Sequence, residues 1–213
     1  MVLSVIVGLL CLAATVPLAM ALPQMVAQAS TQSGLQPFGL GVGLGLVGTL
    51  VVYKKLPILP VLEHELTHLA AALLLFRQPL SLSAGKGRGE VVYTGRGSVI
   101  IRLAPYVVPT FTIVLLCIGP FIADHYQRSF LVLLGSTWAF HVLTALEETR
   151  PYQPDLREGG LFVSFCAVIF LDLVFYFGTA LWSVGGASLV MDWLSLSLVA
   201  LRELTGALSL AGA

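Results

Sequence analysis

The chain has 213 residues, of which 57% are hydrophobic and only 10% charged, with a mean hydropathy of +0.94. A soluble domain carries about 25% charged residues, so this composition excludes an ordinary cytosolic globule and a disordered chain. The 11 basic and 11 acidic residues cancel, which leaves no field to recruit a polyanion and excludes a nucleic-acid binder. Cys11, Cys117 and Cys166 lie in apolar runs without zinc spacing and read as packing thiols. No charged side chain precedes Lys54. The class that remains is an all-α polytopic membrane protein, one bilayer-embedded domain over residues 1–213.

A helix crosses the hydrocarbon core with about 20 mostly apolar residues. Residues 1–22 are uncharged and end in small residues, as a signal peptide would, but the missing Lys or Arg at the start favours a retained first span. Residues 23–34 form a polar linker. The next span, 37–53, holds two G-x-x-x-G pairs, Gly39/Gly43 and Gly41/Gly45, which would let another helix approach closely. The alternative there is a loosely packed, bent span. Residues 57–76 open on Pro57 and Pro60, as a helix start does. Spans 103–123 and 129–146 follow, separated by a turn with Asp124, His125 and Arg128.

Spans 159–182 and 183–201 complete a set of about six to seven hydrophobic helices. They carry Asp172 and Asp192, and the last reads either as a span or as a helix lying at the interface. Orientation follows from loop cations. Arg77, Lys86, Arg88, Arg96, Arg150 and Arg157 are expected on one side, with Lys54, Lys55 and Arg128 on the other. Six against three makes the first side cytoplasmic.

Between residues 78 and 98 the pattern changes. Leu80-Ser81-Leu82-Ser83 alternates, a glycine-rich turn follows, and Glu90-Val91-Val92-Tyr93-Thr94 returns. The pattern predicts a small β-hairpin. Its open backbone groups cannot face lipid, so it belongs at the surface or in a protein-walled cavity.

Residues 63–68 read Glu-His-Glu-Leu-Thr-His. On a helix, His64 and His68 stack on one face, where two imidazoles can hold one zinc ion (Zn2+). Glu65 occupies the general-base position of H-E-x-x-H metalloproteases. Four ionisable groups, Glu63, His64, Glu65 and His68, fall within six positions of an apolar stretch. Each acid held in a membrane costs about 2.5 kcal/mol or more, which an interhelical hydrogen-bond cluster would not require. Asp172 and Asp192 stand alone in their spans, and Asp124 and His125 fall on the far side.

A catalytic zinc needs a third protein ligand and an open position. Asp155 and His141 are the two candidates. Helical rise sets His68 about 13 Å and His141 about 9 Å below the same edge, which leans to His141. Asp155 would have to dip inward on a re-entrant loop. A buried, partnered histidine is the alternative for His141, and a helix N-cap is the alternative for Asp155. Glu147-Glu148-Thr149-Arg150 superficially resembles the double-glutamate motif of prenyl-protein-type membrane proteases, but no histidine follows His141, so the pair is set aside.

Taken together, His64-Glu65-Leu66-Thr67-His68 in a hydrophobic stretch, the hairpin at 80–94, Leu103-Ala104-Pro105-Tyr106-Val107-Val108-Pro109-Thr110 and the late Asp155 near Gly159 and Gly160 resemble the site-2 protease family of intramembrane zinc metalloproteases. The similarity covers about residues 50–180, the expected catalytic core. The resemblance implies that His64, His68 and Asp155 hold zinc, that Glu65 is the base, and that His141 is a supporting residue or alternative ligand. In place of the family's Asn-x-x-Pro stretch stands Gln153-Pro154, in a chain without asparagine, leaving the oxyanion role to His141 or Gln153.

The resemblance further implies hydrolysis of peptide bonds in or near transmembrane segments of membrane-protein substrates. An unwound substrate would add as a strand to the hairpin through Leu80, Leu82, Val91 and Tyr93. The expected setting is the lipid bilayer of a bacterial plasma membrane, with the zinc-side loops cytoplasmic. The competing class is a non-proteolytic multi-pass protein that binds metal or acts as a scaffold.

Overall fold

The computed structural model describes residues 2–85 and 87–211, so Met1 and the counted cation Lys86 lie outside the described residues. Among the described residues, ten α-helices and one hairpin follow in order. They are α1 (Val2–Met20), α2 (Leu22–Ala29), α3 (Leu35–Lys55), α4 (Ile58–Leu74), β1 (Pro79–Ala84), β2 (Gly89–Tyr93), α5 (Val99–Val107), α6 (Thr110–Ile118), α7 (Gln127–Glu148), α8 (Pro154–Glu158), α9 (Leu161–Asp172) and α10 (Gly178–Ala211). Among the described residues, four helical stretches are long and apolar enough to cross a membrane: Leu3–Met20, Leu35–Lys55, Asp124–Glu148 and Leu161–Ala207. A fifth is added if α5 and α6 form one broken span.

The longest stretch is two legs. Its 47 residues would extend about 70 Å if straight, over twice a hydrocarbon core. At Gly186 the backbone takes φ 74° and ψ −162°, a region open essentially to glycine alone. The chain reverses there, because the Phe177 and Trp193 rings meet at 5.1 Å although 16 residues separate them. The expected spans 159–182 and 183–201 correspond to these legs, with the break at Gly186. They close on α1 through Leu18, Leu181, Leu189 and Trp193, and the Trp193 indole donates to the Leu18 carbonyl at 3.1 Å. Between α9 and α10 a π-turn (Leu173–Phe177) displaces the regular ladder, and the Tyr176 carbonyl accepts from the Trp138 indole at 2.9 Å.

The closest helix pair is α3 with α7, and it is glycine that permits it. A Cβ on Gly41 would fall 2.0 Å from the Val132 carbonyl oxygen, one on Gly45 2.5 Å from that of Ser136, and one on Gly135 2.1 Å from that of Phe38. The Ser136 hydroxyl donates across to the Gly41 carbonyl at 3.0 Å. Of the two small-residue pairs, Gly41/Gly45 is therefore the packing face, while Gly39 and Gly43 meet nothing within 4 Å. The matches 41 with 132 and 45 with 136 advance together, so α3 and α7 run parallel. Lys54 and Lys55 thus end beside Glu147 and Glu148, not on the opposite side as expected from the sequence.

Residues 57–76 hold one continuous helix, α4, while the expectation of a simple crossing at 103–123 is corrected. Val108 and Pro109 break it at a 77° bend, because the residue before proline leaves helical geometry and proline donates no hydrogen bond. Beyond the bend, α6 runs antiparallel along α7, with Phe111 stacked on Phe140 and Thr112 bonded to Thr137 at 3.1 Å. Before it, α5 lies antiparallel to α4, with Ala71 and Ala72 packed on Ile101 and Ala104. Only Leu56 and Pro57 separate α3 from α4, so α4 starts at the end of the bundle where α3 stops. The α4–α5 pair continues from that end, and both strands of the hairpin pack on α4.

Candidate metal centre

The ionisable cluster centres on α4. His64 and His68, one turn apart on α4, face Asp155 of α8. His68 Nε2 stands 3.6 Å and His64 Nε2 3.9 Å from Asp155 Oδ2. One ligand atom from each of the three residues lies within 4.8 Å of the others, against roughly 3.3 Å between donor atoms about 2.0–2.1 Å from a tetrahedral zinc, so sharing an ion would draw the groups together. Asp155 is the second residue of α8 with Gln153 at the cap position, so it does not serve as a helix N-cap.

The other imidazole nitrogens fix which atoms face the centre. His68 Nδ1 lies 2.8 Å from the Ile101 carbonyl oxygen, which can only accept, so Nδ1 carries the proton and Nε2 the lone pair. His64 Nδ1 is bonded to the Glu148 carboxylate, with the same result. A carbonyl and a carboxylate behind two ligating histidines orient the rings and raise their basicity. Tyr106 packs edge-on against His64 with ring centres 5.6 Å apart. Burial pushes the Asp155 carboxyl up, while hydrogen bonding and charge from His64 and His68, when those rings are doubly protonated, hold it well below the usual carboxylate range. The donor set of two imidazoles and one carboxylate suits zinc in a site that keeps a position for solvent.

These groups line a cavity of about 880 Å³. Glu65 lines it too, and no hydrogen bond to its carboxylate exists among the described residues. Gly89, which opens β2, rests against that carboxylate. Val91 and Tyr93 of β2 also line the cavity. Leu80 and Leu82 of β1 do not; they are exposed, at 65% and 42%. The strands pair antiparallel from Ala84↔Gly89 to Pro79↔Tyr93, with an irregularity between Pro79 and Ser81. At the mouth Arg102 pairs with Glu158 at 2.8 Å, and Gln153 forms part of the wall.

His141 does not join the centre. It is buried behind α4, its Nδ1 3.2 Å from Glu63 Oε1. The expectation that it could be the third ligand or an oxyanion donor is corrected, because Glu63 and His64 project from different faces of α4. Glu148, bonded to His64, is the neighbour that sequence reasoning set aside. Its signal was present as an acid two turns after His141 at the end of an apolar helix, but its meaning depends on how α4 meets α7. No protein-family model, no curated protein and no solved structure matches the chain, so the centre stands on its own geometry.

Proposed function

We propose that the protein is a multi-pass membrane zinc metallopeptidase that cleaves peptide bonds in or near transmembrane segments of other membrane proteins. The observation that carries this reading is the convergence of His64 Nε2, His68 Nε2 and Asp155 with both Nδ1 atoms already tied back. His64, His68 and Asp155 would hold the ion, which when bound supplies a Lewis acid and lowers the pKa of coordinated water towards about 7.

The remaining work falls to the chain. Glu65 accepts a proton from the attacking solvent and returns it to the leaving amine. Glu148 and the Ile101 carbonyl keep the imidazoles in the ligating tautomer. The β2 edge receives an unwound substrate strand, with Val91 and Tyr93 against its side chains. The irregular backbone of the hairpin would need flanking protein walls to shelter it from lipid. The cations at the end where α4 starts, Lys54, Lys55, Arg77, Arg88, Arg96, Arg150 and Arg157, against Arg128 at the other, support a cytoplasmic setting.

The test is Glu65→Gln in the purified full-length protein, assayed on a model transmembrane substrate. The variant should retain one zinc and lose cleavage. Cleavage retained at the wild-type rate would remove Glu65 from the base role, and wild-type protein without stoichiometric zinc would remove the centre.

A further inference from the structure

Two histidine–carboxylate pairs connect α4 to α7, and their polarity is reciprocal. Glu63 of α4 meets His141 of α7, and the next residue, His64, meets Glu148. His141 and Glu148 are seven residues apart, so they lie on one face of α7 about 10 Å apart. Glu63 and His64 leave α4 about 100° apart around its axis. A single pair would let α4 swivel about the contact. Two pairs, at different heights on one helix and different azimuths on the other, fix its rotation.

The Glu63–His141 pair is poorly explained as a source of stability. Both side chains are 2% exposed, and a buried pair is commonly matched or exceeded in stability by apolar residues of similar volume. His141 Nε2 is buried without a hydrogen-bond partner, a further cost that a stabilising network avoids. What the pair does supply is the register of α4, one residue before the first zinc-binding histidine.

We propose that Glu63 and His141 are positioning residues for the metal centre. Together with His64–Glu148 they form a two-point clamp by which α7 sets the rotation of α4, so that His64 and His68 face Asp155. This rests on the zinc reading above, and the experiment separates the two. Full-length protein in detergent is titrated with Zn2+ against a chromophoric chelator, and its thermal unfolding is followed without metal.

Three forms are compared: wild type, the apolar pair Glu63→Met with His141→Leu, and the exchanged pair Glu63→His with His141→Glu. The apolar pair should unfold at or above the wild-type temperature yet bind zinc 10- to 100-fold more weakly. The exchanged pair should recover affinity to within about threefold of wild type, because it restores the contact with reversed polarity. Wild-type zinc affinity in the apolar pair overturns the inference alone. Loss of folding in both altered forms also overturns it, by making the pair structural. Wild-type protein that takes up no zinc overturns the metal reading, and this inference with it.

Discussion

Gly89 of β2 lies against the Glu65 carboxylate so closely that a Cβ there would stand 2.4 Å from Glu65 Cγ and 2.5 Å from its Oε1. The contact sets the hairpin directly against the proposed base. Gly89→Ala should push the carboxylate aside or lift the hairpin. Displacement of a reacting group by about 1 Å costs on the order of 10²-fold in rate. Cleavage should fall by about that factor while zinc stoichiometry, read by metal analysis, stays at the wild-type value.

Glu148→Ala should weaken zinc binding by about 10- to 100-fold, as loss of a carboxylate behind a ligating histidine does. A chelator competition measures it. Neighbouring Glu147 serves as the control: it is 64% exposed and pairs with Arg150 at 3.0 Å on the surface, so Glu147→Ala should leave zinc affinity unchanged.

Asp155→Ala should abolish stoichiometric zinc uptake, because two imidazoles alone leave the ion short of the three protein ligands of a catalytic site. Circular dichroism should show unchanged helicity, since α8 is five residues long and lies outside the long helices. Retention of tight zinc by Asp155→Ala would assign the third ligand elsewhere.

The glycines of α3 should divide by face. Gly41→Ala or Gly45→Ala drives a methyl into the α7 backbone and should destabilise by about 1–3 kcal/mol, as overpacking does. Gly39→Ala and Gly43→Ala, which meet nothing within 4 Å, should be neutral or stabilising by up to about 1 kcal/mol through helix propensity. Thermal unfolding in detergent distinguishes the two sets.

Sidedness gives a test of the parallel α3–α7 pair. In a cysteine-free background, Lys54→Cys and Arg150→Cys should react with an impermeant maleimide from the same face of sealed vesicles, and Arg128→Cys from the opposite face. Opposite labelling of the first two would contradict the described packing.

These tests follow the boundary of what the sequence made legible. His64, Glu65 and His68 could be read directly, because a helix fixes the faces of residues four apart. The hairpin was legible from its alternation and glycine turn. Asp155 was not reachable by geometry; only the family resemblance favoured it, since 87 residues separate it from His68 along the chain. Glu148 was set aside because no histidine follows His141 in the chain; its actual partner, His64, lies 84 positions before it. The bend at Pro109 was announced by the proline, but its size depends on what α5 packs against.

The shortness of α6 has a consequence for the surrounding lipid. With its following turn it reaches only from Thr110 to Phe121, about 18 Å against a hydrocarbon core of about 30 Å. In the proposed membrane protease, acyl chains bordering that sector would compress, forming a dimple beside α4 and its proposed centre. A guest helix entering there would lose part of its apolar solvent before any bond is touched. Turnover should therefore rise in vesicles of short-chain phospholipid and fall in sterol-thickened ones, as hydrophobic mismatch requires.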